Sequence, residues 1–190
     1  MRRGLSSVQE KVLLDFARKT IGLRLDTGGA LPEISKEPVF HENAATFVTL
    51  RLSGRLRGCI GNLKAVSSLW KSVRDNALNA AFHDHRFSPL TSKEFEKTEI
   101  DISILSAPSP LAYTDSGDLL KKLQPGVDGV ILSDGHRGAT FLPQVWEQLQ
   151  STELFLGQLC QKAGLEETAW QEKQLEIKVY RVHCFGEGRM

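Results

Sequence analysis

The 190-residue sequence predicts an α+β fold, with a mostly antiparallel sheet flanked by helices. Helical and strand patterns do not alternate strictly along the chain, as they would in a parallel α/β protein. Several apolar strand segments are separated by short turns that contain glycine, which is typical of hairpins. With 41% apolar and 25% charged residues, the chain has the composition of a globular protein and is long enough to bury a core.

The N-terminal region predicts a helix followed by an irregular connection. Apolar residues recur on a helical period over residues 7–22, where Ser7 and Glu10 have the spacing of a capping box and Gly22 is suited to end the helix. Residues 26–43 are rich in glycine, proline and charge. This composition predicts a long surface connection.

A hairpin and a second helix come next. The segment 45-ATFVTLRL-52 is rich in β-branched and aromatic residues and predicts a strand. The turn 53-SGR-55 leads to the returning strand 56-LRGCIGNL-63, and Ser67 or Ser68 is placed to cap a helix that buries an alanine-rich face.

The remaining chain continues the mixture of short helices and strands. Isoleucines at 100, 102 and 104 alternate with polar residues, which predicts a strand with one core face. The predicted elements are a helical piece around 92–97, a strand at 99–106, helical turns at 116–123, two strands within 125–143, a short helix from Pro143, a helix at 152–163 and a last strand at 175–185.

Charge, apolar runs and cysteine content restrict the class of protein. The formal net charge of +1 gives no sign of the uniformly basic surface that a non-specific nucleic-acid binder needs, so nucleic acid is not an expected partner. No apolar run approaches the roughly 18 residues of a membrane span, and the N-terminus lacks the apolar region of a secretory signal. Three cysteines without a CxxC pair argue against a disulfide framework or a zinc ribbon. We therefore expect a cytoplasmic protein.

The segment 56-LRGCIG-61 is the candidate for chemistry, because it places a cysteine between glycines in a predicted strand. Alternate residues of a strand share a face. One set is apolar and is expected to face the core; it consists of Leu56, Gly58 and Ile60. The other set contains the thiol and is expected to face the opposite side; it consists of Arg57, Cys59 and Gly61.

On this prediction Arg57 lies beside the Cys59 thiol. A fixed positive charge near a cysteine favours the thiolate, which is the nucleophilic form. Gly58 and Gly61 leave space around the sulfur for a ligand or another backbone. A structural interpretation stays open, since free cysteine is among the most buried residue types and glycines in strands often mark a bulge.

Polar residues elsewhere offer further candidates. His83 and His85 could form a two-histidine ligand set, but no third ligand follows from the spacing, and a polar helix end is the simpler interpretation. Asp84 and Arg86 form either a local ion pair or, if they fold back towards Cys59, part of a site. Gln144, at a predicted helix start, and Asp101, opposite the isoleucines, stay open between a site role and a solvent-facing one. Cys160 lies among apolar residues of a predicted helix, where a core position is expected.

The run LRGCIG at 56–61 resembles the signature of the AMMECR domain family, and the resemblance extends over essentially the whole chain. LPQVWEQ at 142–148 is the second specific match. The family typically has DPRF where this chain has 84-DHRF-87, so that the proline is replaced by His85 while Asp84 and Arg86 remain. Supporting blocks occur in the family's order at 46–50, 80–90, 100–106, 125–132, 140–149 and 155–165, with Trp170.

The resemblance implies a single domain over residues 1–190, built from two interleaved and unequal lobes with the signature near a cleft between them. It implies no particular reaction. Prokaryotic members of the family resemble partners of a radical-SAM protein and of a Memo-type protein similar to extradiol dioxygenases, which suggests a shared pathway. Neither the residues nor the resemblance indicates a cofactor or a metal site.

Two hypotheses about function follow. In the first, the protein is a cysteine-dependent enzyme or a group carrier for an unknown small molecule, with Cys59 as the nucleophile. Arg57 would stabilise the thiolate or bind an anion, Asp84 and Arg86 would orient groups at the cleft, and Gln144 would donate a hydrogen bond. In the second, the protein is a non-enzymatic adaptor whose signature face binds a partner protein or, as a weaker option, nucleic acid.

Overall fold

A computed structural model describes residues 5–25, 33 and 35–189. The chain divides into two compact units, of which unit 1 is Met1–Leu105 with His183–Met190 and unit 2 is Ser106–Val182. In chain order the helices are α1 (Ser7–Arg24), α2 (Pro38–His41), α3 (Leu69–Phe82), α4 (Ser92–Phe95), α5 (Ser116–Lys122), α6 (Thr152–Lys162) and α7 (Ala169–Glu172), with 3-10 helices at Pro143–Glu147 and Glu187–Arg189. The strands are β1 (Ala45–Leu52), β2 (Arg55–Gly61), β3 (Thr98–Leu105), β4 (Ser109–Pro110), β5 (Gly129–Asp134), β6 (Arg137–Phe141), β7 (Glu176–Tyr180) and β8 (Val182–Gly186).

Unit 1 packs helices on one face of a four-stranded sheet of order β2-β1-β3-β8. Strand β1 pairs antiparallel with β2 and with β3. Its inward side chains, Val48 and Leu50, join those of Ile100 and Ile102 in a core shared with α1 and α3. Burial of these branched apolar side chains is what holds the helices on the sheet.

Unit 2 has its own sheet, of order β4-β7-β5-β6, and its own core. The indole ring of Trp146 stacks on Phe155 of α6 at 3.6 Å between ring centroids, and its Nε1 donates a hydrogen bond to the carbonyl of Asp128. Val130, Leu132 and Ile177 complete the buried face of this sheet. The predicted α+β class with antiparallel sheets flanked by helices is confirmed.

The last predicted strand, 175–185, is wrong as a single element. It is two strands, β7 and β8, which belong to different sheets. The interruption is at Arg181, whose main-chain N–H donates to Ser106 Oγ at 2.9 Å and whose carbonyl accepts from Ser106 N–H at 2.8 Å. These two bonds replace strand pairing at Arg181. The apolar sequence pattern therefore continues through this residue, although the strand before it and the strand after it pair in different sheets.

Two details near the N-terminus also differ from prediction. The capping box of α1 uses Ser6 and Gln9 rather than Ser7 and Glu10. The predicted connection at 26–43 includes the short helix α2, and its residues 26–32 and 34 lie outside the described residues. Among the helices described, none has both the length and the apolar character needed to cross a membrane.

Candidate functional site

A β-bulge in β2 sets the geometry of the signature. Leu56 pairs with Arg51, but the next pair along the ladder is Gly58 with Leu50, so Arg57 is the extra residue. After the bulge, Gly58 and Ile60 lie on the helix-covered face and Cys59 on the opposite face, as predicted. Before the bulge the prediction is wrong, because Leu56 points away from the core and is 42% exposed.

The Cys59 side chain is half-buried and contacts the neighbouring strand β1. Directly opposite in the register is Thr49, whose Oγ1 donates a hydrogen bond to Sγ at 3.2 Å. A hydroxyl that donates to sulfur stabilises negative charge there. The thiol therefore has a donor supplied by the sheet itself.

The main chain of Cys59 is bound from the outer edge of the sheet by two side chains of the loop after α3. Its N–H donates to Asp84 Oδ2 at 2.9 Å, and its carbonyl accepts from Arg86 Nη2 at 3.2 Å. Because β2 is an edge strand, these two groups take the place of a further strand. Asp84 and Arg86 thus fold back to Cys59 and fix its position.

The Asp84–Arg86 pair is also a bidentate ion pair. Arg86 Nε and Nη2 donate to the two carboxylate oxygens at 2.9 and 2.7 Å. The pKa of Asp84 lies well below its usual range because of this pairing and, secondarily, the Cys59 N–H bond, although burial opposes the shift. The pKa of Arg86 is raised chiefly by Asp84, and the charge of Cys59 acts in the same direction. Arg86 therefore places a positive charge at the main chain of Cys59.

Arg57, which was predicted to accompany the thiol, is bound elsewhere. Its Nε and Nη2 donate to the carboxylate of Glu94 in α4 at 2.9 and 3.1 Å, and Nη2 donates to the carbonyl of Ser88 at 2.9 Å. This pairing lowers the pKa of Glu94 to about 2. Because Arg57 is the bulge residue, it does not follow the alternation of strand faces that the prediction assumed. The structural role of its side chain is to anchor β2 to α4.

The glycines of the signature serve packing rather than ligand access. A Cβ at Gly58 would lie 2.1 Å from the carbonyl oxygen of Ala80, and one at Gly61 would lie 2.2 Å from the Phe47 ring. Both positions are thus filled by protein atoms. Of the two alternatives expected for these glycines, close approach of another backbone is observed at both positions, and space for a ligand is found at neither.

Asp101 lies on the same face of the sheet as Cys59. In the β1–β3 register it is opposite Thr49, so that Cys59, Thr49 and Asp101 form one row across three strands. Its carboxylate accepts a hydrogen bond from Arg51 Nε at 2.8 Å. The row combines a thiol, a hydroxyl and a carboxylate on one polar face.

The other candidates are placed as follows. Gln144 is exposed in the 3-10 helix of unit 2, and its predicted place beside Cys59 stays a prediction. His83 and His85 are exposed, and the described residues contain no group of three or more His, Cys, Asp or Glu that could hold a metal ion. Cys160 is fully buried, as predicted, and burial raises the pKa of its thiol.

Thr49 is the site residue that sequence reasoning missed. In a hairpin without a bulge, the turn pairing of Leu52 with Arg55 would place Thr49 opposite Gly58 and Cys59 opposite the buried Val48. A one-residue shift exchanges the two faces of a strand. The glycines around Cys59 were the one available signal of a bulge.

The chain is similar to proteins of one family over nearly its full length. A sequence model of the family described as AMMECR1 matches residues 14–185. A protein of Methanosarcina acetivorans is 35% identical, with 98% of this chain and 92% of the relative covered. Protein TV1384 of Thermoplasma volcanium is 32% identical, with 96% and 95% covered.

A solved structure has the same fold. The crystal structure of the uncharacterized protein PH0010 from Pyrococcus horikoshii superposes with a TM-score of 0.79 at 27% sequence identity. The similarity covers 95% of this chain and 92% of that one.

Proposed function

The chain belongs to the AMMECR1 family, and from the geometry of its signature strand we propose that it is an enzyme or group-carrying protein that uses Cys59 as its nucleophile. The observation that carries this proposal is the way Cys59 is held. Its main chain is bound by Asp84 and Arg86, and its half-buried sulfur accepts a hydrogen bond from Thr49. The two main-chain bonds would hold any residue at this position of the edge strand, whereas the Thr49 hydroxyl acts on the sulfur itself.

Each partner has a chemical role in the proposal. Arg86 supplies positive charge near the thiolate, and its side chain is 47% exposed, so it can also face an anionic substrate. Thr49 stabilises the thiolate through its hydroxyl. Asp84 is a positioning residue, because it holds both the Cys59 N–H and the Arg86 guanidinium. Gln144 is retained as a proposed hydrogen-bond donor to substrate.

The proposed reaction class is covalent group transfer. The thiolate lone pair forms a bond to an electrophilic atom of the substrate, and the leaving group departs with the electron pair of the bond that breaks. Attack by a second nucleophile on the same atom then releases Cys59 as thiolate. The thiol proton is given to solvent.

The setting of this reaction is proposed from the family resemblance and cysteine content. We place the protein in the reducing cytoplasm, where Cys59 remains a thiol. We propose that its substrate or product is shared with a radical-SAM protein and a Memo-type protein. Co-purification of tagged protein with these two classes, from cells that encode them, would test the association.

The test of the nucleophile is selective alkylation of the folded protein. With iodoacetamide at neutral pH, followed by peptide mass spectrometry, we expect Cys59 to label at least about tenfold faster than the buried Cys160. Thr49→Val removes the hydroxyl and should slow labelling of Cys59 about two- to tenfold, which corresponds to the loss of one hydrogen bond. Thr49→Ser keeps a hydroxyl and should retain most of the rate.

Matched variants distinguish the effect of the Arg86 charge on Cys59 from the effect of removing any arginine from this part of the protein. Arg86→Gln should slow labelling of Cys59, whereas Arg55→Gln, on the same hairpin, should not. Cys59→Ser should abolish the fast labelling and leave the melting temperature nearly unchanged. The proposal fails if Cys59 in the folded protein labels no faster than Cys160, or if Thr49→Val and Arg86→Gln leave its rate unaltered.

An adaptor function is the second candidate, and one observation favours it. Three apolar side chains of the signature strand and the loop after it are exposed, with Leu56 at 42%, Leu63 at 38% and Val66 at 74%. A contiguous exposed apolar patch is typical of protein-binding surfaces, and Leu63 and Val66 lie three residues apart in one loop. If a Leu63→Ser, Val66→Ser variant loses its physiological function while Cys59→Ser keeps it, the adaptor function is the correct one.

A further inference from the structure

Unit 2 contains a cavity of about 300 Å³ that has no part in the proposed chemistry of Cys59. This volume is at the small end of the range for ligand sites, which suits a molecule of a few heavy atoms. Its lining includes the apolar side chains of Leu111 and Val179 and the charged side chains of Lys122, Asp128 and Arg181.

Asp128 has a largely buried carboxylate, and only one of its two oxygens accepts a hydrogen bond from a described residue. Its side chain is only 7% exposed, and Oδ2 accepts a hydrogen bond from the main-chain N–H of Gln124 at 2.9 Å. Oδ1 lies 3.9 Å from Arg181 Nε, which is too long for a hydrogen bond. Oδ1 forms this loose ion pair with Arg181 and accepts a hydrogen bond from no other described residue, so the ammonium group of a ligand could bind there.

Arg181, by contrast, has more hydrogen-bond donors than the described residues around it accept. Its main chain is fixed by Ser106, and the hydrogen bond of its guanidinium to a described residue is from Nη2 to Gln124 Oε1 at 2.9 Å. The Arg181 side chain is 65% exposed, which leaves guanidinium donors available to an anion. Lys122, at the same cavity, donates to the carbonyl of Ala112 and to Asp118 Oδ2 and keeps one ammonium hydrogen.

The charge pattern selects among ligands. A simple anion would bind Arg181 and Lys122 but would face the buried charge of Asp128. A simple cation would bind Asp128 but would face two cations. A zwitterion satisfies all three side chains, because its positive group can complete Asp128 while its negative group lies at Arg181 and Lys122.

We propose that this cavity binds a small zwitterion of the amino-acid type, with the ammonium on Asp128 Oδ1, the carboxylate at Arg181 and Lys122, and an apolar side chain over Leu111 and Val179. The site is independent of the Cys59 proposal. It requires no covalent step and no residue of unit 1.

Titration of the full-length protein, followed by amide shifts in NMR spectra, tests the site with L-leucine as the probe. We expect saturable shifts in the residues lining the cavity. L-leucinamide, which lacks the carboxylate, and 4-methylpentanoate, which lacks the amine, should each bind at least about tenfold more weakly, since each loses a charge-assisted contact.

Variants assign the effect to the cavity. Asp128→Asn and Arg181→Gln should each weaken leucine binding about tenfold or more, and Arg181, being exposed, can be replaced without loss of folding. Lys122→Gln should weaken binding, and its neighbour Lys121→Gln should not. The proposal is overturned if millimolar leucine causes no shifts at the cavity, if both analogues bind as well as leucine, or if Asp128→Asn and Arg181→Gln bind it normally.

Discussion

Gly58 illustrates how a single residue determines the geometry around Cys59. The strand passes so close to α3 that the carbonyl oxygen of Ala80 occupies the space of a Cβ. Any side chain at this position would push β2 away from the helix. The Cys59 main chain, which Asp84 and Arg86 hold from the sheet edge, would move with it. The glycine is therefore needed for the site although it touches no ligand in our proposal.

Gly58→Ala should lower the free energy of unfolding by about 1–3 kcal/mol, because an added methyl group here meets backbone that cannot move away cheaply. Urea unfolding followed by circular dichroism measures the change. Gly117→Ala is the matched control, since the nearest atom to its Cβ is a side-chain oxygen of Asp115 at 3.2 Å. Equal stability losses in the two variants would contradict the packing account of Gly58.

At the scale of elements, the edge strand β2 is bound by side chains rather than by another strand. Arg57, the bulge residue, reaches Glu94 of α4, and the Asp84–Arg86 pair binds Cys59 two residues further along the strand. An unprotected edge strand tends to pair with other chains, and bulges and charges prevent this. The same contacts that protect the edge thus also place the thiol.

The Arg57–Glu94 pair predicts a particular dependence of stability on pH. Glu94 has a pKa of about 2 in the folded protein against an ordinary value of 4.5, so the unfolded chain binds the proton more readily between these values. The stability due to this pair is complete above about pH 4.5 and is lost as the pH falls towards about 2.

Urea midpoints measured from pH 6 to pH 2, about the range over which carboxylates titrate, should therefore fall less steeply for Glu94→Gln than for the natural protein. Some decline should remain, because the depressed pKa of Asp84 acts in the same direction. Lys93→Gln, which removes a charge from the same helix but leaves the pair intact, is the control. An unchanged slope in Glu94→Gln would show that the pair does not stabilise the fold.

At the scale of the whole molecule, unit 1 is completed by a segment that follows unit 2 in the sequence. Strand β8 completes the sheet of unit 1, and Glu187 accepts hydrogen bonds from Arg18 of α1 and from the main-chain N–H of Ile100. Unit 2 is instead one continuous segment, Ser106–Val182, with its own sheet and core.

Residues 106–182 produced alone should therefore fold, since a contiguous segment with its own buried core meets the requirements for independent folding. Dispersed amide signals in an NMR spectrum and a cooperative urea transition would show it. A chain that ends at residue 105 should be much less ordered, because it lacks β8 and Glu187. A featureless spectrum of the 106–182 fragment in water would refute this prediction.

Much of the fold follows from local pattern. The apolar period of α1, the turn at Ser53 and Gly54, the alternation of Ile100 and Ile102, and the glycine after α6 each predict an element that the structure contains. These features depend on interactions between residues close in sequence, which is why the sequence reveals them. The burial of Cys160 follows for the same reason, since its helix has one apolar face.

What the tertiary structure decided is which partners meet. The bulge at Arg57 arises where β2 passes against Ala80 of α3, and it puts Thr49, rather than Val48, opposite Cys59. It also sends Arg57 to Glu94 and leaves Arg86 as the cation bound to the main chain of Cys59. Similarly, the segment 175–185 has strand character along its length, but its division between two sheets depends on Ser106, far away in sequence. By itself the sequence determined most of the elements and the presence of Cys59 in a strand. The face and the partners of that cysteine depend on a one-residue register shift, because a strand exchanges its two faces at every residue.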